Sequence, residues 1–544
     1  MIVVFGLFGL NRLNQLFLVT KRIKYGIMFS VDILRLSAKG YRNSFAEIGE
    51  YDKEFNMTVR TRFAPSPTGF MHVGNLRTAL YAWLWAKKND GVFMLRIEDT
   101  DQARFVEGAI ETVYKTLRTV GLNWDEGPDV GGEYGPYVQS ERKDMYLPYA
   151  QKLVEMGKAY YCFCTKEELE ERRAKVEAEG GTFKYDKHCM NLSKEEVERR
   201  LAAGEPYVIR QNVPEEGTAD FDDAIFGHIS VNCSELDDMI LIKADGMPTY
   251  NFANIIDDHT MGITHVLRGM EYLSSTPKYN LLYEAFGWEK PVYVHLTTIM
   301  RDATHKLSKR DGDATFEDLM NSGYLTEAVT NYLALVGWSP GNDREFFTLE
   351  ELKEAFSLEG LSKSPAIFDN AKLRWMNAEY IRKMDGANYF KKALPWLEKA
   401  GVGEIARREG NEDILIRILQ PRTEIFSDIA ETVGFLAEMD ENYDIELFTN
   451  KKSKTNPEIC RDILADVVPQ LKALPDWTET ALHDFLIGYA EKKEMKNGTL
   501  LWPVRIAMSG KSVTPGGAIE IAALLGRDEA IRRLELGLEK LNNM

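Results

Sequence analysis

The stretch RTRFAPSPTGFMHVGNLRTALYAWLWAKKNDG, residues 60–91, decides the fold. The alternation of TVRTRFA predicts a strand, and the two prolines with Gly69 predict a turn directly after it. The run LRTALYAWLWAKK repeats apolar residues at helical spacing, NDG closes that helix, and VFMLRIED then reads as a buried strand. This order of strand, turn, helix and strand predicts an α/β fold that opens with a doubly wound parallel sheet of the Rossmann type.

The turn and the helix start, residues 64–75, form a candidate phosphate site. Ligands of such sheets bind outside the carboxyl ends of the strands, and the free amides and dipole of a helix start favour phosphate. Gly69 and Gly74 allow the backbone to approach a ligand closely, and His72 can donate to a phosphate oxygen. A single histidine beside a tight turn is also typical of a structural residue, so this motif alone does not decide its role.

A second basic stretch, HKLSKRDGD at residues 305–313, strengthens the phosphate hypothesis. A run of charge is usually a solvated loop. Here small and polar residues accompany Lys306 and Lys309, which is typical of a loop that closes over a triphosphate. Lysines in that position would neutralise the charge that develops on a pentavalent phosphorus.

The composition indicates a large globular protein with several domains. The 544 residues exceed one ordinary core, and the 44% hydrophobic and 28% charged fractions are usual. The net charge of -17 gives no global field that attracts nucleic acid, so contact with RNA would depend on a local basic patch or on helix starts. Five cysteines do not make a disulfide framework in so long a chain, and no apolar run predicts a membrane span.

The first 56 residues differ from the rest of the chain. Residues 1–45 are apolar and basic, and Asp32 is the only acid among them. That composition resembles an organellar transit peptide, and it equally resembles translated upstream DNA. We favour Met57 as the natural start, with a genuine presequence as the main rival, and in either case residues 1–56 are expected to lie outside the fold.

Several ordered motifs resemble those of a known family. PSPTGFMHVGN and KLSKR resemble the two signature motifs of class I aminoacyl-tRNA synthetases. Four further segments resemble the glutamyl-tRNA synthetases of the bacterial type: RIEDTD (96–101), 121–142, 245–277 and 368–381. The resemblance covers residues 57–544 and is most specific between 60 and 380.

The resemblance implies ATP-dependent ligation of L-glutamate to tRNA(Glu) in two steps. The α-carboxylate of glutamate attacks the α-phosphate of ATP, with Mg²⁺ balancing charge, to give glutamyl-adenylate and pyrophosphate. A hydroxyl of the terminal adenosine of the tRNA then attacks the mixed anhydride and releases AMP. This chemistry needs positioning and electrostatic stabilisation rather than a protein nucleophile. The resemblance also implies a cytoplasmic monomer, or an organellar enzyme if the N-terminal extension is a genuine presequence.

Motif matching implies the residues that handle ATP. Its expected contacts are Thr68, Gly69, His72, Gly74, Asn75 and Lys309. His72 and Lys309, helped by Lys306, are the expected catalytic residues. Asn75 stands where the signature usually has histidine, and related glutamyl enzymes also vary there.

The expected amino-acid pocket combines arginines with an acid. Two carboxylates require arginine and one ammonium requires an acid, and Arg62, Glu98 and Arg268 all end predicted strands at the same rim. The resemblance implies that the pocket is lined by Arg62, Ser66, Glu98, Tyr250, Asn254 and Arg268. Glu98 is the expected ammonium partner. The alternative for each charged residue alone is a surface ion pair.

Three clustered cysteines are a candidate zinc site. Cys162 and Cys164 are followed after 24 residues by Cys189, and three thiolates with one nitrogen or oxygen donor make a closed tetrahedral site. Some bacterial glutamyl enzymes carry such a site with this spacing. Tyr185 is the first candidate for the fourth ligand and His188 the second. The alternative is three reduced cysteines packed near a helical hairpin.

The predicted domain organisation follows from these motifs and from composition. Its units are an N-terminal extension (1–56), the first half of the catalytic domain (57–138), an inserted domain that binds the acceptor stem (139–249), the second catalytic half (250–300), the KLSKR loop with a stem-contact domain (301–385) and an all-α anticodon-binding region (386–544). Arg422 aligns with an arginine that helps to read the last anticodon base in relatives, and a surface arginine is the alternative.

Two other readings of the resemblance remain. One is an enzyme of the same chemistry, either a glutaminyl-tRNA synthetase or a truncated relative that glutamylates a modified tRNA base. The long helical C-terminus disfavours both, because glutaminyl enzymes read the anticodon with β-barrels. The other is an inactive RNA-binding or regulatory relative, which would be expected to have lost His72, Glu98, Lys309 or the pocket arginines, and none of these is lost.

Overall fold

The computed structural model describes residues 58–101, 106–308 and 315–544. The expected N-terminal extension, residues 1–56, lies outside the described residues, and so does Lys309. Within the described ranges no helix combines the length and the apolar character that crossing a bilayer requires.

The quoted stretch folds in the predicted order. Strand β1 (Arg60–Phe63) leads through the proline turn into helix α1 (Val73–Lys88), which is followed by strand β2 (Val92–Leu95). The two strands pair in parallel, with Arg62 opposite Met94. Helix α1 packs against both strands and buries its apolar residues in one hydrophobic core with theirs. The predicted strand–turn–helix–strand opening is therefore confirmed.

Nine further strands belong to the described residues. They are β3 (Ala159–Cys162), β4 (Val208–Gln211), β5 (Thr218–Asp223), β6 (Gly227–Asn232), β7 (Ile240–Ile242), β8 (His265–Gly269), β9 (Val292–Leu296), β10 (Ile299–Met300) and β11 (Ala366–Ile367). Strands β3, β4 and β7 form an antiparallel sheet, and β10 and β11 form a short parallel pair.

The catalytic sheet combines strands from both predicted halves of the catalytic domain with a hairpin from the predicted insert. Strands β8 and β9 pair in parallel, and β5 of the β5–β6 hairpin joins the far side of β9 through Asp223 opposite Tyr293. Strand β1 lies beside β8, where the amide of Thr264 donates to the carbonyl of Arg60 at 3.0 Å. The carboxyl ends of β1, β8 and β9 consequently share one edge of the sheet.

Ten further helices lie in the described residues up to residue 385. They are α2 (Ala109–Thr119), α3 (Lys143–Glu155), α4 (Lys166–Ala178), α5 (Lys194–Ala202), α6 (Tyr250–Thr260), α7 (Thr276–Phe286), α8 (Phe316–Asn321), α9 (Thr326–Leu335), α10 (Leu349–Ala355) and α11 (Asn370–Lys383). Short 3-10 helices span Gln139–Arg142, His188–Asn191, Cys233–Glu235 and Met270–Tyr272.

The C-terminal region is helical throughout, as the sequence predicts. Residues 386–544, all of them described, contain no strand. Their helices are α12 (Gly386–Lys399), α13 (Gly403–Ala406), α14 (Asn411–Leu419), α15 (Asp428–Ala437), α16 (Pro457–Lys472), α17 (Glu479–Lys492), α18 (Asn497–Ser509), α19 (Ala518–Leu525) and α20 (Arg527–Asn542). Two 3-10 helices, Gln420–Arg422 and Ile445–Phe448, lie between them. These helices bury a separate apolar core.

Candidate active site

A cavity of about 320 Å³ lies at the shared sheet edge, between the ends of β1, β8 and β9 and the start of α1. The predicted site residues that line it are Arg62, Ser66, Thr68, His72, Gly74, Asn75, Tyr250, Arg268 and Lys306. The structure therefore brings residues expected for ATP and residues expected for glutamate into one cavity. Gly69, Glu98 and Asn254 were also predicted and lie outside its lining.

His72 is the N-cap of helix α1. Its backbone is extended (φ -65°, ψ 139°), and its Nδ1 accepts the amide N–H of Gly74 at 3.0 Å. Because Nδ1 accepts a hydrogen bond, the proton of the neutral ring is carried by Nε2, which is the atom that can donate to a phosphate oxygen. The structural and the functional interpretations of this histidine are thus compatible.

The proline turn before α1 depends on Gly69. Its φ of 116° lies in the left-handed region, which side chains other than that of glycine rarely adopt. Ser66 and Thr68 on this turn are exposed, and the amide of Thr68 donates to the carbonyl of Ser66 at 2.9 Å. The turn presents both hydroxyl groups at the mouth of the cavity.

The segments on either side of residues 309–314 meet this helix start. Lys306 lines the cavity, and Thr315 forms an antiparallel bridge with His72. The amide of Phe316 donates to the carbonyl of Met71 at 3.0 Å. The two signature motifs, more than two hundred residues apart in the chain, therefore flank one cavity.

Arg62 is anchored at the end of β1 by an acid from helix α6. Its Nε and Nη2 donate to the two carboxylate oxygens of Asp258 at 3.0 and 3.3 Å, and its Nη1 donates to the carbonyl of Leu267 at 3.3 Å. Only 3% of Arg62 is exposed. Burial alone would raise the pKa of Asp258. The positive charges and hydrogen bonds of Arg62 and Arg96 have the larger effect, so the pKa of Asp258 is lowered.

Arg96 is a buried residue that the sequence did not single out. It has no exposed surface, and it donates to Glu98 Oε1 at 2.7 Å and to Asp258 Oδ1 at 2.8 Å. Arg142 donates to the neighbouring Asp257 at 2.7 Å. Three arginines (with Arg62) and the acids Glu98, Asp257 and Asp258 thus balance their charges in one buried cluster, which reduces the cost of burying them. The sequence signal that could have revealed this cluster is the acids of RIEDTD (96–101) and IIDDH (255–259).

Glu98 lies next to the cavity: its amide donates to the carbonyl of the lining residue Pro65 at 3.0 Å, and one of its carboxylate oxygens is unused. Its Oε1 accepts from Arg96, whereas its buried Oε2 has no hydrogen-bond partner among the described residues. Burial raises the pKa of Glu98, and Arg96 and Arg62 offset only part of that effect. A buried acceptor without a donor costs roughly 1–3 kcal/mol, so this oxygen has a physical reason to bind a ligand donor.

Arg268, at the end of β8, is the second arginine of the cavity. Its Nε donates to His295 Nε2 at 3.1 Å and its Nη2 donates to Thr276 Oγ1 at 2.7 Å. The guanidinium lies over the ring of Tyr279, with its carbon 4.9 Å from the ring centroid. Sequence reasoning missed His295 and Thr276, which contact Arg268 and lie outside the cavity lining.

Tyr250 and Asn254 belong to helix α6, which starts at the cavity wall. The ring of Tyr250 lines the cavity and stacks on Tyr272 with the ring centroids 5.2 Å apart. The amide group of Asn254 donates to the carbonyl of Tyr250 at 2.8 Å. Asn254 therefore supports the first turn of α6 in this structure.

The three thiols of the candidate zinc site lie together. Cys164 Sγ is 3.6 Å from Cys189 Sγ, and all three sulfurs lie within 4.8 Å of one another. The hydroxyl oxygen of Tyr185 is 3.1 Å from Cys162 Sγ and 3.3 Å from Cys164 Sγ. Four ligands at Zn–S distances of about 2.3 Å form a tetrahedron with edges of about 3.8 Å, so these donors fit Zn²⁺ after small shifts. His188 is exposed and is not part of this cluster.

Arg422 lies far along the chain, at the end of the 3-10 helix Gln420–Arg422. Its side chain is exposed, and its Nη1 donates to the carbonyl of Ile418 at 2.9 Å. The guanidinium is therefore positioned on the surface of the helical region.

Comparisons with known proteins agree with these features. Residues 58–375 match the family model of the class I tRNA synthetases (E and Q), catalytic domain, and residues 373–538 match an anticodon binding domain. The chain is 57% identical over 483 residues to the glutamate–tRNA ligase of Clostridium acetobutylicum, an alignment that covers 89% of this chain and 99% of the relative. It is also 57% identical over 487 residues to that of Clostridium novyi, covering 89% of this chain and 98% of the relative.

Two solved structures are similar along the same length. One is a glutamate tRNA ligase from Elizabethkingia meningosepticum in complex with its amino acid, at 35% identity and a TM-score of 0.78. The other is the glutamate-tRNA synthetase of Elizabethkingia anophelis, at 35% identity and a TM-score of 0.80. Each comparison covers 89% of this chain and 100% of the solved chain. This chain therefore belongs to the glutamate–tRNA ligase family of class I aminoacyl-tRNA synthetases.

Proposed function

We propose that the cavity binds L-glutamate beside ATP, and that the chain joins glutamate to tRNA(Glu) through a glutamyl-adenylate. The observation that carries this proposal is the convergence of two buried arginines with the start of α1 on one cavity. As a class I synthetase the chain uses ATP with Mg²⁺, and it releases AMP and pyrophosphate.

The amino acid is recognised by charge and by geometry. Arg62 and Arg268 bind its two carboxylates, since a guanidinium matches a carboxylate with paired N–H groups. Glu98 accepts from the ammonium through its unused oxygen, with Ser66 and Tyr250 closing the pocket and Asn254 holding Tyr250. Glutamine lacks the second negative charge, so a pocket with two carboxylate-binding arginines favours glutamate.

ATP is placed so that its α-phosphorus faces the α-carboxylate of glutamate. The Nε2 proton of His72 and the helix start at Gly74 and Asn75 bind phosphate oxygens. Lys306, together with Lys309 of the undescribed segment, stabilises charge on the triphosphate as the bond to pyrophosphate breaks. Glu271 is the one acid among the described lining residues that could hold Mg²⁺, which would supply further neutralisation of the triphosphate when bound.

Transfer to tRNA follows on the same edge of the sheet. A ribose hydroxyl of the terminal adenosine attacks the carbonyl carbon of the mixed anhydride, and AMP leaves with the bonding electrons. The chain contributes orientation of the two reactants, which can supply most of the acceleration without a protein nucleophile.

Charging assays with purified tRNAs test the assignment. We expect ATP-dependent, alkali-labile attachment of glutamate to tRNA(Glu), and no attachment of glutamine to any tRNA. Attachment of glutamine to tRNA would show that the chain is a glutaminyl-tRNA synthetase instead. Binding of tRNA without any charging would show that it is an inactive RNA-binding relative. Attachment of glutamate to tRNA(Gln) as well would extend the tRNA range of the same amino-acid pocket.

The thiol cluster is the basis of a second proposal, one structural Zn²⁺. Cys162, Cys164 and Cys189 would hold the ion as thiolates, and the hydroxyl of Tyr185 is the fourth donor because it lies among the sulfurs. When bound, the ion would tie the end of β3 to the 3-10 helix His188–Asn191 and would take no part in the reaction. Monomeric state and cytoplasmic location stay predictions.

A further inference from the structure

Arg268 is the first member of a buried chain of three polar side chains. We propose that Asp223 and His295 are positioning residues that hold the Arg268 guanidinium in the orientation that binds a substrate carboxylate. This inference rests on the proposed function, in which Arg268 contacts glutamate.

The contact between His295 and Arg268 is a consequence of strand register. Strands β8 and β9 pair in parallel with Arg268 directly opposite His295, so both side chains stand on the same face of the sheet. The distance from Arg268 Nε to His295 Nε2 is 3.1 Å, and the side chain of His295 has no exposed surface. An arginine N–H can only donate, so Nε2 of His295 must accept.

Asp223 determines which ring nitrogen carries the proton. Its Oδ2 is 2.6 Å from His295 Nδ1, and a carboxylate in that position requires an N–H on Nδ1. The same carboxylate accepts the backbone amides of Ile225 and Phe226, each at 2.9 Å, and that of His295 at 3.1 Å. Four donors therefore hold Asp223 rigidly, and through it the His295 ring.

The orientation of the guanidinium follows from these bonds. His295 Nε2 accepts the Nε–H of Arg268, and Thr276 Oγ1 accepts one N–H of its Nη2 at 2.7 Å. Tyr279 covers one face of the group, with the guanidinium carbon 4.9 Å from the ring centroid. Among the described residues Nη1 has no hydrogen-bond partner, which leaves the Nη1 side for a carboxylate. An arginine held in place before its ligand arrives loses little entropy on binding it.

This chain of contacts links two regions that the sequence separates. Asp223 ends strand β5 of the β5–β6 hairpin, inside the predicted inserted domain 139–249, whereas Arg268 and His295 belong to the catalytic sheet. The hairpin therefore contributes to amino-acid recognition without touching the amino acid.

Steady-state charging kinetics of His295 variants test the proposal in the full chain. His295→Leu removes the acceptor, and we expect the KM for glutamate to rise at least about tenfold while the KM for ATP stays within about twofold. His295→Gln places an amide oxygen where Nε2 was, and it should recover most of that loss. Asp222→Asn is the matched control, because Asp222 precedes Asp223 and pairs with His228 on the protein surface. This control should keep the parental KM for glutamate.

Arg268→Ala separates this proposal from the proposed function. If Arg268→Ala leaves the KM for glutamate unchanged, the placement of Arg268 is wrong and the positioning proposal fails with it. If Arg268→Ala raises the KM but His295→Leu does not, only the positioning proposal is overturned. In the Arg268→Ala background, His295→Leu should add no more than about twofold, because its effect passes through Arg268.

The ring tautomer gives a second measurement that does not depend on a folded His295→Leu variant. In ¹⁵N-histidine-labelled protein at pH 7, the signal that disappears in His295→Gln should be that of a neutral ring protonated on Nδ1. Asp223→Asn should shift that signal, since it replaces the acceptor of the Nδ1 proton. A ring protonated on Nε2, or a charged ring, would overturn the proposal.

Discussion

His72 has a structural and a proposed chemical role on one ring. Its Nδ1 caps helix α1 through the amide of Gly74, while the Nε2 proton is proposed to bind phosphate. Asparagine is also a strong N-cap, but it carries no donor where Nε2 was. The two roles are therefore separable by substitution.

His72→Asn should leave the thermal unfolding midpoint within about 2 °C of the parent, because the cap is kept. It should lower kcat/KM for ATP at least about tenfold, because the phosphate donor is lost. His72→Ala should lose both properties. Parental kinetics of the Asn variant, measured at saturating glutamate and tRNA, would leave this histidine with a structural role alone.

The buried ring of His265 should make the free energy of unfolding depend on pH. It lies buried in β8, and burial lowers the pKa of His265 to about 4, whereas an unfolded histidine has a pKa near about 6.5. The folded state favours the neutral ring, so this stabilisation is complete above about pH 6.5 and is lost as the pH falls towards 4. Between pH 7 and pH 5 this group should remove roughly 2 kcal/mol of the free energy of unfolding.

Urea unfolding at pH 7 and pH 5 checks this value. His265→Gln should show a smaller acid-side loss than the parent, since no buried ring has to be protonated. His483→Gln is the matched control, because His483 is exposed on α17, and it should show the parental pH dependence. An unchanged acid-side loss in His265→Gln would mean that other groups govern acid stability.

Residues that are proposed to contact substrates were easier to predict than the residues that hold them in place. Arg62, Glu98 and Arg268 end predicted strands, and strand ends share one rim, so the sequence pattern placed them together, while the family resemblance implied their role in the pocket. Arg96 and Asp258 lie 162 residues apart, and their contact arises only when β1, β2 and α6 assemble. Such pairings depend on three-dimensional packing, which sequence periodicity does not encode.

At the scale of elements, the local order was predictable and the distant pairing was not. Strand, turn, helix and strand follow one another within 60–95, and each carries its own composition signal. The β5–β6 hairpin lies within the predicted insert, yet it pairs with β9 and extends the catalytic sheet. That pairing is non-local and has no signal in the hairpin sequence itself.

The zinc proposal concerns the junction of β3 with the 3-10 helix His188–Asn191. Protein purified without chelator should contain about one zinc ion per chain, and Tyr185→Phe should weaken zinc affinity at least about tenfold. His188→Ala should retain the metal, because His188 is exposed outside the cluster. The measurement is metal content by emission spectrometry, with release followed by a chromogenic chelator.

A matched cysteine variant controls for the loss of a thiol. Cys233 is buried elsewhere, and Cys233→Ala should keep the zinc content of the parent. Substoichiometric zinc in a fully active parent would support the alternative of three packed, reduced cysteines. If His188→Ala loses zinc while Tyr185→Phe retains it, the fourth ligand is His188 and not Tyr185.

At the scale of the whole molecule, the helical C-terminal region, which matches an anticodon binding domain, is proposed to select the tRNA. Arg422 is exposed on this region, and its proposed partner is the last anticodon base. Arg422→Gln should lower the preference for tRNA(Glu) over tRNA(Gln) at least about tenfold, which is the usual worth of one arginine–base contact. Arg417→Gln is the control, since exposed Arg417 pairs with Glu479. Parental discrimination in Arg422→Gln, measured as the ratio of kcat/KM values, would remove this role.

The central claim is that one cavity holds glutamate and ATP side by side, with arginine selecting the amino acid. The most direct test compares the KM values for glutamate and ATP in Arg62→Ala and Arg268→Ala. Arg60→Ala is the control, because Arg60 lies on β1 with Arg62. Arg60 pairs with Glu126 and lies outside the cavity lining. The account predicts a KM for glutamate raised at least about tenfold in the two cavity variants, with the KM for ATP within about twofold. Equal changes in both KM values, or none, would contradict it.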